Sequence, residues 1–229
     1  MAADRREIAA FESLEWGLRP AGLDLRWSAS GAHGDTEVLV VANGPGRANA
    51  LQAVQCVYQH AAVGAIVSTG FAGGLDPDLL VGDVFLAQSV LEFSTRVEYS
   101  VRLPECANTA ASGCLLTVDS VVQDAAGKAD LRKTGACAVD MEAAALAAVA
   151  QSRQVPFFCI RAISDDARTS FEVDFNAARR PDGTFSGWRI AAQAGLSRRR
   201  WRQLMDLKRV GEQASRNLAA FFERCSFTH

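Results

Sequence analysis

The stretch V-P-F-F-C-I-R-A-I-S-D-D-A at residues 155–167 constrains this chain most, because an unbroken apolar, aromatic and β-branched run ends there abruptly in acids. Such a run reads as a strand buried on both faces, so Ser164, Asp165 and Asp166 emerge together at its carboxyl end. In open α/β sheets that edge is where ligands bind. A second acidic group, Asp140 and Glu142 within A-V-D-M-E, opens a helix at 143–150 so uniformly small and apolar that it too is interior. Two carboxylate groups at the mouth of one buried core predict a site, and an enzyme.

At 229 residues the chain is long enough for one large α/β domain with a substantial core. With 49% hydrophobic and 22% charged residues it has the composition of a soluble globular protein, and a net charge of -2 provides no field for nucleic acid or an anionic membrane. A small-molecule substrate is the default partner. The cysteines, Cys56, Cys106, Cys114, Cys137, Cys159 and Cys225, are scattered without a C-x-x-C pair and read as reduced thiols of a cytoplasmic protein. His33, His60 and His229 stand in three different contexts, so no histidine metal site can be drawn; no metal and no cofactor is expected. No segment has the apolar length of a signal or a membrane span.

Along the chain the pattern is strand, glycine-bearing loop, helix, strand, the grammar of a mostly parallel sheet. Strands are expected at 7–11, 23–29, 37–42, 65–69, 81–91, 96–103, 114–118, 136–139 and from 155, with helices at 48–60, 125–133 and 143–150. Asp140 is expected to cap the last of these. Residues 168–187 read as a polar loop and 188–194 and 199–222 as helices. With no repeat or low-complexity linker, a single domain over 1–229 with 186–229 as a helical cap is the economical organisation.

Each candidate motif has a plain alternative. N-G-P-G-R at 43–47 resembles a phosphate cradle, with Arg47 adding charge at a helix start, yet it lacks the Lys-Ser/Thr of a P-loop and serves equally as a tight turn. Gly70, Phe71, Ala72 and Gly73 follow a buried strand and let a planar ligand lie against backbone, or solve a turn needing positive φ. Asp140 reads as a first-turn acid. Glu142 is harder to dismiss, since the helix behind it has almost no polar face and an ionised carboxylate there needs hydrogen-bond partners, such as a sugar diol.

Taken together, S-T-G-F-A-G-G-L-D-P at 68–77, V-G-D-V at 81–84, A-V-D-M-E-A-A-A at 138–145 and R-A-I-S-D at 161–165 resemble the nucleoside phosphorylase and nucleosidase superfamily, in particular its methylthioadenosine/S-adenosylhomocysteine nucleosidase branch. The segment 171–222 is similar to the hopanoid-associated relatives, which act on adenosylhopane. The resemblance implies an α/β fold, a three-layer αβα sandwich around a mixed, mostly parallel sheet, and a homo-oligomer. It implies that Asp165 protonates the purine at N7, that Ser164 orients it, and that Met141 and Glu142 hold the ribose. The family's amino-terminal glutamate, which positions the attacking water, is expected at Glu15, with Glu12 as the other candidate. Phe71 stands where many relatives carry a small hydroxyl residue near the phosphate or water pocket, which argues against a full phosphate site.

The chemistry is coherent on physical grounds. Breaking a ribosidic C–N bond develops positive charge on the sugar and negative charge on the base, so an acid is needed at the base and an anionic acceptor near the ribose hydroxyls. Desolvation at a strand end can keep a carboxyl protonated near neutrality, which suits Asp165 for the first task. The expected activity is hydrolysis of a 5′-modified adenosine; a phosphate-dependent phosphorylase and a non-catalytic nucleoside-binding protein are the alternatives.

Overall fold

A computed structural model describes residues 1–105 and 110–227. The expected apolar runs become strands. β1 (Arg19–Pro20), β2 (Trp27–His33) and β3 (Thr36–Ala42) form an antiparallel three-stranded sheet. β4 (Ile66–Gly74), β5 (Val84–Glu92), β6 (Glu98–Ser100), β7 (Ala111–Thr117), β8 (Ala138–Asp140) and β9 (Phe157–Asp165) form a second, six-stranded sheet. Its order is β6-β5-β7-β8-β4-β9, and β5 also pairs with β9, so the sheet closes on itself as a barrel. Parallel pairs (β4–β9, β5–β7, β7–β8) and antiparallel pairs (β4–β8, β5–β6, β5–β9) are both present, giving a mixed α/β fold. Residues 1–3 link the sheets: the Ala2 amide donates to Val41 O and the Met1 amine to Val67 O.

The helices follow their apolar periodicity. α1 (Arg47–His60) buries Ala50, Ala53, Val54 and Val57, one face of a 3.6-residue helix. α3 (Ala143–Arg153) buries nearly all its alanines, whose small side chains let its backbone approach the strands closely. α2 (Ala125–Arg132) is capped by Asp124. The carboxyl-terminal α4 (Phe175–Ala178), α5 (Gly187–Ala194) and α6 (Arg198–Phe222) follow, and α6 packs Ala214, Leu218, Phe221 and Phe222 against Ile8, Phe11 and Leu86. One apolar cluster lies under α1 and α3, and a separate one under α6.

Two expectations are corrected. Residues 5–13 form a 3-10 turn (Arg5–Ser13), where a strand was expected at 7–11. The cause is a capping box: the Asp4 carboxylate accepts from the Arg6 amide and Glu7 reaches back to the Asp4 amide, closing a turn before a strand can start. Among the cysteines, Cys56, Cys114, Cys137 and Cys159 are free as expected, but Cys225 is disulfide-bonded. The expectations for Cys106 and His229 lie outside the described residues. No helix among the described residues is long and apolar enough to cross a membrane.

Between α4 and α5 the chain folds back onto the loop before α1. Arg26 donates to Asp182 Oδ2 (2.9 Å), and Asn49 Nδ2 donates to both Pro45 O (3.0 Å) and Asp182 O (2.8 Å).

Candidate active site

β9 is buried through Ile163 and emerges half-buried at Ser164 and Asp165. A register shift between Ala72 and Gly73 puts Gly73 opposite Asp165, and a Cβ on Gly73 would stand 3.0 Å from Asp165 Oδ2. The absence of a side chain at Gly73 therefore makes room for the carboxylate. Ser164 Oγ donates to Asp165 Oδ1 (2.6 Å). Against expectation, Asp165 is also ion-paired: the Lys128 ammonium, from α2, donates to its Oδ2.

Asp165 opens into a cavity of about 230 Å³. Ser164, Met141, Glu142, Phe71, Ala72 and Gly73 line it too, so the residues proposed from three separate motifs meet in one place. Aromatic Phe171 and Phe185, apolar Val121 and Val122, and the Pro45 ring complete much of its wall. Phe71 packs toward α6, since a Cβ on Gly211 would lie 3.3 Å from its ring.

Glu142 stands at the start of α3 and makes no side-chain cap there. Its Oε1 accepts from the Gly46 amide (2.5 Å) and its Oε2 from the Met141 amide (3.3 Å). Burial, then the charge of Asp140, push its carboxyl up to about 7. Asp140 does bond the first turn of α3, accepting from the Ala143 amide (2.9 Å), but it does more than cap: it accepts from Thr117 Oγ1 (2.7 Å) and from Arg161 (2.5 Å) in a buried ion pair.

The expected amino-terminal acids do not reach the cavity. Glu12 is exposed and paired with Arg5, and Glu15 is exposed. Glu7 occupies the place expected of them, lining the cavity while its Oε2 accepts from the Ala3 amide (2.9 Å) and the Asp4 amide (3.3 Å). Burial, then the charge of Glu142, push the Glu7 carboxyl up to about 8. Gly70 is the neighbour that permits this: its φ is 131°, and any Cβ would collide with the Glu7 carboxylate. Arg47 also turns away, pairing with Glu92 outside the cavity.

Glu7, Lys128 and Arg161 were given no site role by the sequence reading. Asp4 through Glu7 carried a D-x-x-E signal, which marks a helix start but not which way the glutamate faces. Lys128 sits in A-A-G-K-A-D-L-R, a segment with no mark of burial. Arg161 was visible as a charge inside an apolar strand, itself a sign of a buried partner. It donates to Ser68 Oγ (2.8 Å) as well as Asp140, while its Nε and Nη1 and the Thr69 hydroxyl are buried without a protein partner. Buried polar groups of this kind are commonly satisfied by water or ligand.

Comparison with known proteins gives this arrangement a setting. Residues 28–116 and 100–183 match the model of the phosphorylase superfamily. A 5′-methylthioadenosine/S-adenosylhomocysteine nucleosidase of Anoxybacillus flavithermus is 31% identical over 175 residues, covering 64% of this chain and 75% of that protein. The nucleosidase of the same name from Neisseria meningitidis, solved with methylthio-immucillin-A, superposes with a TM-score of 0.70 at 20% identity over 97% of this chain and 96% of its own. The futalosine hydrolase of Helicobacter pylori gives 0.72 at 18% identity over 96% and 93%.

Proposed function

Since this chain belongs to the phosphorylase superfamily, we propose that it is a purine nucleosidase that hydrolyses the N-ribosidic bond of a 5′-modified adenosine and releases adenine. One observation carries the reading: β4 has Gly70 against the Glu7 carboxylate and Gly73 against Asp165. Three residues of strand span about 10 Å, enough to set a base-directed group at one end and a water-directed group at the other with a ribosidic bond between.

Asp165 faces the purine and Ser164 fixes its orientation. Glu142, anchored by two backbone amides, accepts from the ribose hydroxyls and stabilises the cationic sugar. Met141 packs on the ribose and the Phe171 and Phe185 walls enclose the apolar part of the substrate. Glu7 takes the proton of the attacking water; a base poised near neutrality both accepts that proton and is present in its ionised form. The unpartnered donors of Arg161 supply further hydrogen bonds beside these two carboxyls, and its charge draws both toward ionisation.

Water is the nucleophile rather than phosphate. A dianion would have to enter beside Glu7 and Glu142, against their charge, and the Arg47 expected to receive it is engaged by Glu92. The nucleosidase relatives named above favour the same chemistry. The test is base release from methylthioadenosine, S-adenosylhomocysteine, adenosine, inosine and adenosylhopane, with and without saturating phosphate. Adenine with a free ribose product is expected; a ribose 1-phosphate derivative as main product would overturn the hydrolase.

The proposal extends to organisation. The two apolar clusters, under α1 and α3 and under α6, favour helices layered on both sides of the strands in one domain. Trp188, Leu196, Trp201 and Met205, exposed on or beside α5 and α6, favour a homo-oligomer, to be tested by sedimentation.

A further inference from the structure

Lys128 is 0% exposed, yet it lines the same cavity as Asp165. Besides its bond to Asp165 Oδ2, its Nζ donates to Asp166 O at 2.5 Å and stands 5.9 Å from the centroid of the Phe171 ring. A lysine is rarely buried so completely unless paired, and this one is paired with the group assigned to the leaving base. The pairing changes what Asp165 can be. Both oxygens of Asp165 are taken up as acceptors, one by the Lys128 ammonium and the other by the Ser164 hydroxyl, so neither presents a proton to the leaving base. The proton that the leaving purine requires is nevertheless present, one atom further back, on Nζ.

Resting on the nucleosidase reading above, we propose that Lys128 is a positioning residue that acts through Asp165 and supplies its proton. As the C1′–N9 bond breaks, its electron pair passes onto the purine. Asp165 takes a proton from Lys128 Nζ and hands it to N7, leaving neutral adenine, a carboxylate and a neutral amine. Water adds its oxygen to C1′ and gives its proton to Glu7. Solvent then returns a proton to Nζ and removes one from Glu7, so the cycle consumes only water. Arginine would make the same ion pair but, being always charged, would not give up the proton.

That difference sets the test. Lys128→Arg and Lys128→Met are compared with the parent on two substrates: a 5′-modified adenosine, and a 4-nitrophenyl riboside with the same 5′ group, whose leaving anion needs no protonation. Adenine-induced rise in Tm confirms that each variant keeps its binding site. Both variants should lose about 10²-fold in kcat on the adenosine substrate and stay within a few-fold of the parent on the nitrophenyl riboside. A Lys128→Arg enzyme within a few-fold of the parent on adenosine would overturn the proton supply, reducing Lys128 to a charge. Equal losses on both substrates, or loss of adenine binding, would overturn it in favour of a structural role. A parent that releases base from no purine nucleoside sinks the nucleosidase reading instead, a result seen before any variant is made.

Discussion

Glu7 accepts two amides from the start of its own chain, and still burial and the neighbouring Glu142 hold its carboxyl near 8. Only a carboxyl inside the cavity experiences that combination, which is why its role separates from those of Glu12 and Glu15 by substitution. Glu7→Gln should cut the hydrolytic rate by about 10²–10⁴-fold, the usual worth of a general base, while Glu12→Gln and Glu15→Gln stay within a few-fold of the parent in steady-state assays. Asp165→Asn should likewise lose turnover by about 10²–10⁴-fold while adenine still raises Tm; near-parental turnover would remove Asp165 from the chemistry. At this scale the sequence was informative where burial was forced by context. Asp165 ends a strand with no polar face and Glu142 precedes a helix with none, so both had to face something special. Glu7 and Lys128 lie in short polar segments whose inward orientation depends on partners far away in the chain, Gly70 for one and Asp165 for the other.

Among the elements, β4 is the ruler of the site, and its glycines are spaced to fit two carboxylates. Gly70→Ala places a Cβ in the Glu7 carboxylate at a positive φ, which costs about 1–3 kcal/mol in strain alone. It should lower Tm and also displace Glu7, so that kcat falls further than KM changes; a variant with parental kcat would show that Glu7 does not depend on Gly70. β9 and α3 were legible because a doubly buried strand and an alanine-rich interior helix each leave one pattern in sequence. The 3-10 turn at Arg5–Ser13 was not: R-E-I-A-A-F supports alternation as readily as a helical face, and only the Asp4–Glu7 box decides. Nor was barrel closure, which depends on β5 reaching β9 through Val84↔Ala162, a pairing between residues far apart in the chain.

For the whole molecule, these carboxyls tie stability to pH. Glu7 and Glu142 are raised in the fold from 4.5 to about 8 and about 7, so the folded state holds protons that the unfolded chain has released. Their contribution is complete below the unfolded value and is lost as pH rises through the folded ones. The buried Met1 amine, lowered from 8.0 to about 5, works in the opposite sense over nearly the same window. The parent alone is therefore a poor reporter, and the difference between variants is the measurement to make. Tm of Glu7→Gln relative to the parent should climb between pH 5 and 8, reflecting a penalty of a few kcal/mol relieved in the variant; a constant offset would place Glu7 in contact with solvent. One further consequence follows from the clasp of Asp182 on Arg26 and Asn49. The segment that carries Asp182 also carries Phe185, which walls the cavity, and it braces the loop whose Gly46 amide grips Glu142. Cutting the clasp with Asp182→Ala therefore reaches Glu142 through that loop, and kcat should fall in steady-state assays although Asp182 does not itself line the cavity.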